Sequence, residues 1–411
     1  MSEHFDALEN REPEVRERDL MAALRDTIAH AKANAPYFAD LLKDVDPASV
    51  TDRAALAKLP VTRKHDLIEL QKKTPPFGGL VAESMPVGRV FQSPGPIHEV
   101  EGVGADYFRA ARALFAAGFR SGDLVHNTFS YHFTPGGWIL DNGARALGCR
   151  VFPAGVGQTE LQAQAVAAMK PQGYTGTPSF LRIILEKARE LGLETSSMKK
   201  ALVSGEALPP SLRKQIQDEL GVTTYQCYAT ADLGVIAYES EALEGMICSE
   251  DAIVEIVRPG TGDPVPEGEV GEVVVTVFTR EYPLIRFATG DMSAVLPGTS
   301  PCGRTNMRIK GWMGRADQTT KVKGMFVHPE QVAEVVKRHP EITKARLVVT
   351  SADNVDQMTL KAESSTTEPA FAEKVAETVR EVLKLKGSVE LVDPASLPND
   401  GKVISDERSY E

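Results

Sequence analysis

Charged side chains that could do chemistry follow a glycine at three places in the chain. They are Asp291, Arg315 and Lys402. An ionised aspartate only accepts hydrogen bonds, whereas arginine and lysine donate them and carry positive charge. Taken singly, Asp291 also fits a closing turn, Arg315 a surface loop and Lys402 a solvated chain end. Residue type alone leaves these alternatives open.

Two further loops hold candidate ligand-binding groups. The loop TYQCYATADLG carries Asp232, whose carboxylate is a hard oxygen ligand of the kind that Mg²⁺ takes; alone it also fits a solvated loop acid. In VFQSPGPIHEVEG, His98 could contact a ligand as a cation, and Glu99 with Glu101 could hold a metal. The alternative is a rigid Pro-Gly-Pro turn on the surface.

Repeating units of strand and helix must position these loops. Apolar residues recur at three- and four-residue steps from Arg18 to Ala35, which predicts an amphipathic helix that Pro36 ends. A short helix is expected from Arg53 to Lys58. After Gly88, short apolar strands alternate with helices expected at 136–147, 160–169 and 180–191. This alternation predicts βαβ units and a mainly parallel sheet.

The pattern of predicted strands and helices changes in the last third of the chain. Two β-branched runs flank a Pro/Gly-rich connector after Ala252, which indicates an antiparallel, barrel-like subregion. Beyond Gly314 the pattern suits a small α+β unit with helices from Pro329 and Pro369. The predicted fold is therefore α/β, with a large N-terminal domain (1–314) of mainly parallel βαβ sheets and a small α+β C-terminal domain (315–411).

Composition excludes several classes of protein. The 411 residues are 42% hydrophobic and 25% charged, which is ordinary for a globular chain. The net charge of −11 argues against a nucleic-acid partner. Four separated cysteines form no CxxC pair and predict neither a disulfide framework nor a zinc module. The first thirty residues lack the apolar core of a signal peptide, and no stretch predicts a membrane span, so a cytoplasmic protein is expected.

Several stretches, in order along the chain, resemble the phenylacetate-CoA ligase family of the adenylate-forming (acyl-CoA synthetase) superfamily. They are DRAALAKLPVTRKHDL, TPGGWILDNGARALGCRVFPAG, PLIRFATGDMSAVLPG, GRADQTTKVKGMFVHPEQVAEVV and LPNDGK. The resemblance implies that a small-molecule carboxylate attacks the α-phosphate of ATP to give an acyl-adenylate and pyrophosphate. The thiol of coenzyme A then displaces AMP. The implied cofactors are ATP, Mg²⁺ and coenzyme A.

The resemblance also implies roles for individual residues. Asp291 stands where an aspartate holds the ribose hydroxyls, and Arg315 where an arginine contacts ribose or phosphate. Lys402 stands where a tail lysine approaches the carboxylate and α-phosphate during adenylation, and is the implied catalytic residue. The other implied positions are Ser204, Gly205, Glu206 and Tyr228 near adenine, and Asp317 at the hinge of a rotating C-terminal domain.

Two motifs depart from the family pattern. In the motif Tyr-Gly-x-Thr-Glu, Tyr228 matches, alanine replaces glycine and threonine, and Asp232 stands in the place of the Mg²⁺-binding glutamate. In the phosphate loop, Ser93 and Gly95 match the pattern. Pro94 and Pro96 remove backbone donors and stiffen the chain, which indicates that this loop binds phosphate differently or has changed its task.

The resemblance places the acyl pocket between two loops. Its expected lining is Tyr131, His132, Phe133, Gly136, Tyr174 and Thr177. Aromatic residues beside glycines form a flat slot, which favours an aryl or arylacetyl group. Tyr131 and His132 also fit ordinary core and rim positions, and this alternative stays open.

Three functions are compatible with these residues. The first is an ATP-dependent aryl or arylacetic acid–CoA ligase. The second is a catalytically degenerate relative that binds nucleotide, acyl-CoA or an aromatic ligand as a sensor or accessory protein, which the altered phosphate loop favours. The third is an enzyme that takes a preformed acyl-adenylate or passes an acyl group to an amine. A homodimer is an expectation from the family alone.

Overall fold

The chain divides into two compact units. A computed structural model describes residues 3–93, 96–316, 318, 320–322, 325–352 and 355–408. Unit 1 comprises residues 1–254, 275–289 and 296–312, and unit 2 comprises 255–274, 290–295 and 313–411. The boundary expected at residue 315 stays a prediction, because unit 2 also takes two earlier segments of the chain.

The helices begin at or near prolines in most cases, since proline fits the first turn. The α-helices of the described residues are α1 (Pro13–Asn34), α2 (Pro36–Leu41), α3 (Arg53–Leu56), α4 (Leu67–Lys73), α5 (Ala110–Ala116), α6 (Gly136–Ala146), α7 (Thr159–Met169), α8 (Pro178–Glu190), α9 (Pro210–Lys214), α10 (Pro329–Lys337) and α11 (Pro369–Leu383). Short 3₁₀ turns also run through Pro47–Ser49 and Lys64–Asp66.

The strands alternate with these helices in unit 1 and cluster in the last third of the chain. They are β1 (Thr62–Arg63), β2 (Val87–Ser93), β3 (Ile97–Gly102), β4 (Leu124–Asn127), β5 (Arg150–Pro153), β6 (Gly173–Gly176), β7 (Lys200–Val203), β8 (Thr223–Thr230), β9 (Gly234–Tyr238), β10 (Met246–Cys248), β11 (Ala252–Val257), β12 (Gly271–Val277), β13 (Phe287–Ser293), β14 (Val295–Leu296), β15 (Arg308–Ile309), β16 (Thr320–Val322), β17 (Met325–Val327), β18 (Ile342–Ala352), β19 (Val355–Ser364), β20 (Ser388–Val392) and β21 (Ile404–Asp406).

A nine-stranded sheet dominates the fold, in the order β14-β15-β10-β9-β8-β7-β6-β4-β5. The strands β5, β4, β6, β7 and β8 are parallel neighbours, whereas β8, β9, β10 and β15 pair antiparallel. β4 lies between β5 and β6, so the strand order reverses there. In open α/β sheets such a reversal leaves a crevice at the carboxyl ends of the strands, where ligands bind.

Helices α5 and α6 cover part of this sheet with apolar side chains. Phe108, Leu114, Ile139 and Leu140 are buried with Val125 of β4 in one core cluster. A methyl group at Gly143 of α6 would lie 2.5 Å from the Ala110 side chain. The two helices therefore approach closely, and only a residue without a side chain fits at that position.

Unit 2 ends in a four-stranded sheet of order β20-β19-β18-β21 with α10 and α11 packed on it. β18 and β19 form a long antiparallel pair, and the flanking strands pair in parallel. Val332 and Val335 of α10 and Val375 and Val379 of α11 are buried in its core. This α+β arrangement, together with the parallel strands of unit 1, confirms the predicted α/β class.

A four-stranded sheet of order β1-β13-β12-β11 forms where the antiparallel subregion was expected. β1 pairs in parallel with β13, which periodicity along the chain could not reveal. The chain passes from one unit to the other within β11, β12 and β13.

Most predicted elements form close to their expected bounds. The first helix starts at Pro13 rather than Arg18, because the proline supplies a favourable first residue before the apolar stripe begins. The helix predicted at Arg53 is only four residues long. Among the described residues, no helix combines the length and hydrophobicity required to cross a membrane.

Candidate functional site

The loops that follow β4, β6 and β7 meet around Phe129. Gly205 has φ +82°, and a methyl group there would lie 3.4 Å from the Phe129 ring and 3.6 Å from Thr177 Cγ2. A methyl group at Gly136, the first residue of α6, would lie 3.7 Å from Phe129. The structure therefore brings Gly136, Thr177 and Gly205 together at the carboxyl ends of parallel strands, although they are distant in sequence.

Tyr131 is fixed by hydrogen bonds on both sides of its hydroxyl. Asn127 Nδ2 donates to this oxygen at 2.8 Å, and the hydroxyl donates to Asp141 Oδ1 at 3.2 Å. The ring lies edge-on to Trp138 with centroids 5.1 Å apart. Burial and then the neighbouring Asp141 carboxylate raise the pKa of Tyr131 above its ordinary range. The side chain is thus a neutral, rigid part of the loop after β4.

His132 and Phe133 lie at the surface of unit 1. Phe133 is 76% exposed with φ +60°, and its carbonyl accepts a hydrogen bond from the Gln92 N–H at 2.8 Å. His132 is exposed, and its N–H donates to Ser130 Oγ at 3.1 Å. Their expected role in an acyl pocket stays a prediction. The Phe133 carbonyl nevertheless ties this loop to the hairpin of β2 and β3.

Tyr174 is fully buried under the same loops. Its hydroxyl accepts from Thr128 Oγ1 at 2.7 Å and donates to the Thr177 carbonyl at 3.1 Å. Burial raises the pKa of Tyr174 well above its ordinary value. The side chain therefore links the loops after β4 and β6 from below.

The segment after β7 is held by two side-chain hydrogen bonds. Ser204 Oγ donates to the Cys227 carbonyl at 2.8 Å, which joins the segment to β8. Glu206 Oε1 accepts from the Ser179 N–H at 2.6 Å, at the N-terminus of α8, where a carboxylate is favoured by the helix dipole. In β8, the Tyr228 hydroxyl donates to Thr289 Oγ1 at 3.1 Å. The residues expected near adenine, Ser204, Glu206 and Tyr228, thus each have a hydrogen-bond partner in unit 1.

The segment expected to be a phosphate loop includes residues of two antiparallel strands, β2 and β3. β2 and β3 pair from Val87↔Gly102 to Ser93↔Ile97, and Pro94 and Gly95 lie outside the described residues. Ser93 is buried, and its hydroxyl donates to the carboxylate of Glu99. The serine hydroxyl is therefore engaged within the protein. His98 lies on the same hairpin with its backbone N–H bonded to Gln71 Oε1 at 2.8 Å.

A buried carboxylate pair lies beside this hairpin. Asp232 is 5% exposed, and Lys64 Nζ lies 2.6 Å from its Oδ2. Glu99 is 1% exposed. Burial, and then the charge of Asp232, raise the pKa of Glu99 to about 7. The cluster thus contains a lysine cation, an aspartate and a glutamate. The glutamate keeps its proton up to about pH 7, above the range in which a glutamate ordinarily loses it.

Two oxygen atoms of this cluster have chemistry that suits a hard cation. Glu99 Oε2 and Asp232 Oδ1 are buried and have no hydrogen-bond partner among the described residues. Mg²⁺ is commonly bound through one or two carboxylates together with substrate phosphates, so these residues fit the expected metal. In the part of the chain that the structure describes, no group of three or more His, Cys, Asp or Glu side chains is arranged to hold a metal.

Sequence reasoning missed Lys64. It lies in the 3₁₀ turn after β1, 168 residues before Asp232. A lysine in a charged stretch such as TRKHD carries no signal that distinguishes it from a solvated surface residue. Packing of that turn beside β8 and the hairpin reveals its role as the cation of the carboxylate pair.

Asp291 and Arg315 form an ion pair in unit 2. Their backbones form an antiparallel bridge, and Arg315 Nη1 lies 2.9 Å from Asp291 Oδ1. Gly290 has φ +74°, and a methyl group there would lie 2.7 Å from Arg315 Nη2. The absence of a side chain at Gly290 lets the guanidinium lie against the backbone. The structure therefore joins two residues that the sequence placed 24 positions apart.

Lys402 lies in the loop before β21. Its side chain is exposed and lines a cavity of about 480 Å³ within unit 2, together with Arg258 and Glu330. Its carbonyl accepts from Arg346 Nε at 3.0 Å. Gly401 precedes it with φ +71°, and a methyl group there would lie 2.9 Å from Met292 Sδ. The loop thus packs against the residue that follows Asp291. The expected hinge residue Asp317 lies outside the described residues.

Two segments of the chain match known protein families. Residues 105–277 match the family described as AMP-binding enzyme, and residues 324–408 match the AMP-binding enzyme C-terminal domain. The phenylacetate-coenzyme A ligase of Thermus thermophilus is 32% identical over 369 residues, covering 85% of this chain and 81% of the relative. The Escherichia coli phenylacetate-coenzyme A ligase is 31% identical over 358 residues, covering 83% and 80%.

Two solved structures of a CoA ligase are similar to nearly the whole chain. A 2-hydroxyisobutyryl-CoA ligase in complex with 2-HIB-AMP and CoA, in its thioesterification state, is 26% identical with a TM-score of 0.70, covering 98% of this chain and 92% of that one. An open conformation of that ligase, also with 2-HIB-AMP and CoA, has a TM-score of 0.71 and covers 95% and 91%.

Proposed function

Because the chain belongs to the phenylacetate-coenzyme A ligase family of adenylate-forming enzymes, we propose that it activates an aryl or arylacetic acid with ATP and transfers the acyl group to coenzyme A. The family makes it an acid–thiol ligase. The specific acid and the roles of individual residues are part of the proposal.

The observation that carries the proposal is the arrangement of three candidate residues in unit 2. Asp291 and Arg315 are paired at 2.9 Å, and Gly401, next to Lys402, packs on Met292, next to Asp291. An acceptor for ribose hydroxyls and two cations thus belong to the same compact unit of the protein. We assign Asp291 and Arg315 to the nucleotide and Lys402 to the charge that develops on the α-phosphate.

In unit 1, we assign the carboxylate pair to the metal. Asp232 Oδ1 and Glu99 Oε2 would hold Mg²⁺, which supplies positive charge to neutralise the triphosphate. Lys64 holds the other Asp232 oxygen at 2.6 Å and so orients this carboxylate. The shorter aspartate side chain is supported by a fixed partner rather than left free to rotate.

The proposed acid is aromatic because two observations favour it. The relatives of highest identity reported above are phenylacetate-coenzyme A ligases. At the strand ends, Phe129 stands beside Gly136 and Gly205, and Tyr131 stands beside Gly137. The structural relative, however, is a ligase of a small aliphatic hydroxy acid. The test therefore includes both classes of acid.

The deciding experiment measures pyrophosphate release from ATP and Mg²⁺ with aryl, arylacetic and short aliphatic acids, with and without coenzyme A. Wild-type protein is compared with Lys402→Ala. We expect release only in the presence of an aryl or arylacetic acid, a loss of about 10²-fold or more in Lys402→Ala, and acyl-CoA formation when coenzyme A is added. Release with aliphatic acids alone would overturn the choice of acid, and acyl transfer to an amine instead of coenzyme A would overturn the acceptor.

A second candidate is a ligand-binding relative without turnover. The Ser93 hydroxyl is engaged by Glu99, and Oδ2 of Asp232 is engaged by Lys64, so a hydroxyl that would contact phosphate and one of the two Asp232 oxygens already have partners within the protein. A thermal shift with ATP or acyl-CoA, combined with no pyrophosphate release across the acid panel, would favour this function over the ligase.

A further inference from the structure

The loop that carries Lys402 is held from one side by a single amide side chain. Gln318 Nε2 donates to the Gly401 carbonyl at 2.8 Å. Its Oε1 accepts from the Val403 N–H at 2.5 Å and from the Ile404 N–H at 2.8 Å. One side chain therefore bonds to the backbone immediately before Lys402 and immediately after it.

Gln318 is itself bonded to the backbone next to the Asp291–Arg315 pair. Its N–H donates to the Ala316 carbonyl at 2.8 Å, and the Ala316 N–H donates to the Gly290 carbonyl at 2.7 Å. Arg315, beside Ala316, pairs with Asp291. A continuous path of backbone and side-chain bonds thus runs from the Asp291–Arg315 pair to the Lys402 loop.

The chemistry of these bonds suits a primary amide. The Gly401 carbonyl needs a donor, whereas the two N–H groups need an acceptor, and the glutamine amide offers an N–H₂ donor and a carbonyl acceptor on one planar group. Arg346 holds the opposite side of the loop through the carbonyls of Lys402 and Pro398. With both sides bonded, the backbone at Lys402 is fixed even though its ammonium is exposed.

We propose that Gln318 is a positioning residue for Lys402, which holds the backbone of the lysine loop in register with the Asp291–Arg315 segment during adenylation. This inference rests on the proposed function, in which Lys402 acts on the α-phosphate. Gln318 does not touch substrate; it acts through Lys402. Because misplacement of a reacting group by about 1 Å can lower a rate by about 10²-fold, loss of the amide should slow adenylation specifically.

The test compares wild-type protein with Gln318→Ala, Gln318→Glu and a matched control, Gln331→Ala. Gln331 also bridges two backbone groups in unit 2, accepting from the His328 N–H at 3.0 Å and donating to the Val382 carbonyl at 3.3 Å. Among the described residues, neither of these hydrogen bonds involves the Lys402 loop. Three quantities are measured: steady-state pyrophosphate release, conversion of preformed acyl-adenylate to acyl-CoA, and hydrogen exchange of the Val403 and Ile404 amides.

We expect Gln318→Ala to reduce kcat for pyrophosphate release about tenfold or more with little change in the KM for ATP. Thioester formation from acyl-adenylate should stay near the wild-type rate, and exchange of the Val403 and Ile404 amides should accelerate. Gln318→Glu keeps the acceptor but places a second oxygen against the Gly401 carbonyl, so exchange should stay slow while pyrophosphate release falls. Gln331→Ala should match wild type in both half-reactions.

Three results would overturn the positioning role. One is unchanged amide exchange in Gln318→Ala, another is faster exchange with wild-type pyrophosphate release, and the third is an equal loss in both half-reactions, which indicates a general structural defect. Wild-type protein that releases no pyrophosphate with any acid would refute the proposed function, and the positioning role with it. Active wild type with equally active Gln318→Ala would refute the positioning role alone.

Discussion

Replacing Glu99 by glutamine should change how the stability of the protein depends on pH. Glu99 is 1% exposed, its Oε1 accepts from Ser93, and its Oε2 has no partner among the described residues. Burial and the charge of Asp232 raise its pKa from 4.5 to about 7. The glutamine amide has the same shape and no charge, and can place an N–H₂ group where the protonated carboxyl places its O–H.

The sign follows from which state binds the proton. Between pH 4.5 and about 7 the native protein keeps the proton on Glu99, whereas the unfolded chain has released it. The free energy of unfolding therefore falls as pH rises through this window and levels off above it. The rise in pKa of about 2.5 units corresponds to about 3 kcal/mol, at about 1.36 kcal/mol per unit. Little of this is lost to solvent screening, because the side chain is buried.

Thermal unfolding at pH 5, 6, 7 and 8 in the presence of EDTA measures the effect. We expect Glu99→Gln to gain stability relative to wild type as pH rises. The melting temperature of the variant minus that of wild type should be a few degrees larger at pH 8 than at pH 5. The chelator removes metal ions, whose binding at Asp232 would otherwise change with pH.

Glu101→Gln is the matched control on the same strand. Its carboxylate lies 2.6 Å from Arg89 Nη1 and is also buried, so its replacement removes an ion pair and should destabilise the protein. If the difference between Glu99→Gln and wild type were the same at every pH, the reasoning that Glu99 keeps its proton in the native state would be wrong.

Three further substitutions probe other contacts. Lys64→Met removes the cation 2.6 Å from buried Asp232 and should cost about 3 kcal/mol; calorimetry showing an unchanged melting temperature would refute that role. Gly290→Ala adds a methyl group 2.7 Å from Arg315 Nη2 at φ +74°, which should cost about 1 to 2 kcal/mol and raise the KM for ATP, whereas an unchanged KM would contradict the nucleotide assignment. Tyr131→Phe leaves Asn127 Nδ2 without the hydroxyl acceptor and should cost about 1 to 3 kcal/mol in urea unfolding, an effect that an equally stable variant would exclude.

Local patterns in the sequence were sufficient for most of the elements. The helices predicted at 136–147, 160–169 and 180–191 form at Gly136–Ala146, Thr159–Met169 and Pro178–Glu190. Helical periodicity, prolines at helix starts and β-branched runs act over a few residues, so they can be read from neighbours in the chain. The α/β class and the family follow from the same short stretches in their order.

The sequence identified the candidate residues by their type, but it did not identify the residues that contact them. Asp232 was expected as a metal ligand, yet its 2.6 Å contact with Lys64 joins positions 168 apart. Glu99 was one of two acids in a divergent loop, and its retained proton depends on burial beside Asp232. These properties arise from the local dielectric and from neighbouring charges, which exist only after distant segments have packed.

The sequence by itself determined the helices, the strands, the adenylate-forming family and the residues Asp291, Arg315 and Lys402 as candidates, because each of these is encoded in a short stretch. Only the tertiary structure decided that Lys64 neutralises Asp232 and that Gln318 spans 83 positions to hold the Gly401 carbonyl. A charged or amide side chain has the same local signature on the surface as in a site, and its role depends on which backbone or carboxylate the fold places within about 3 Å of it.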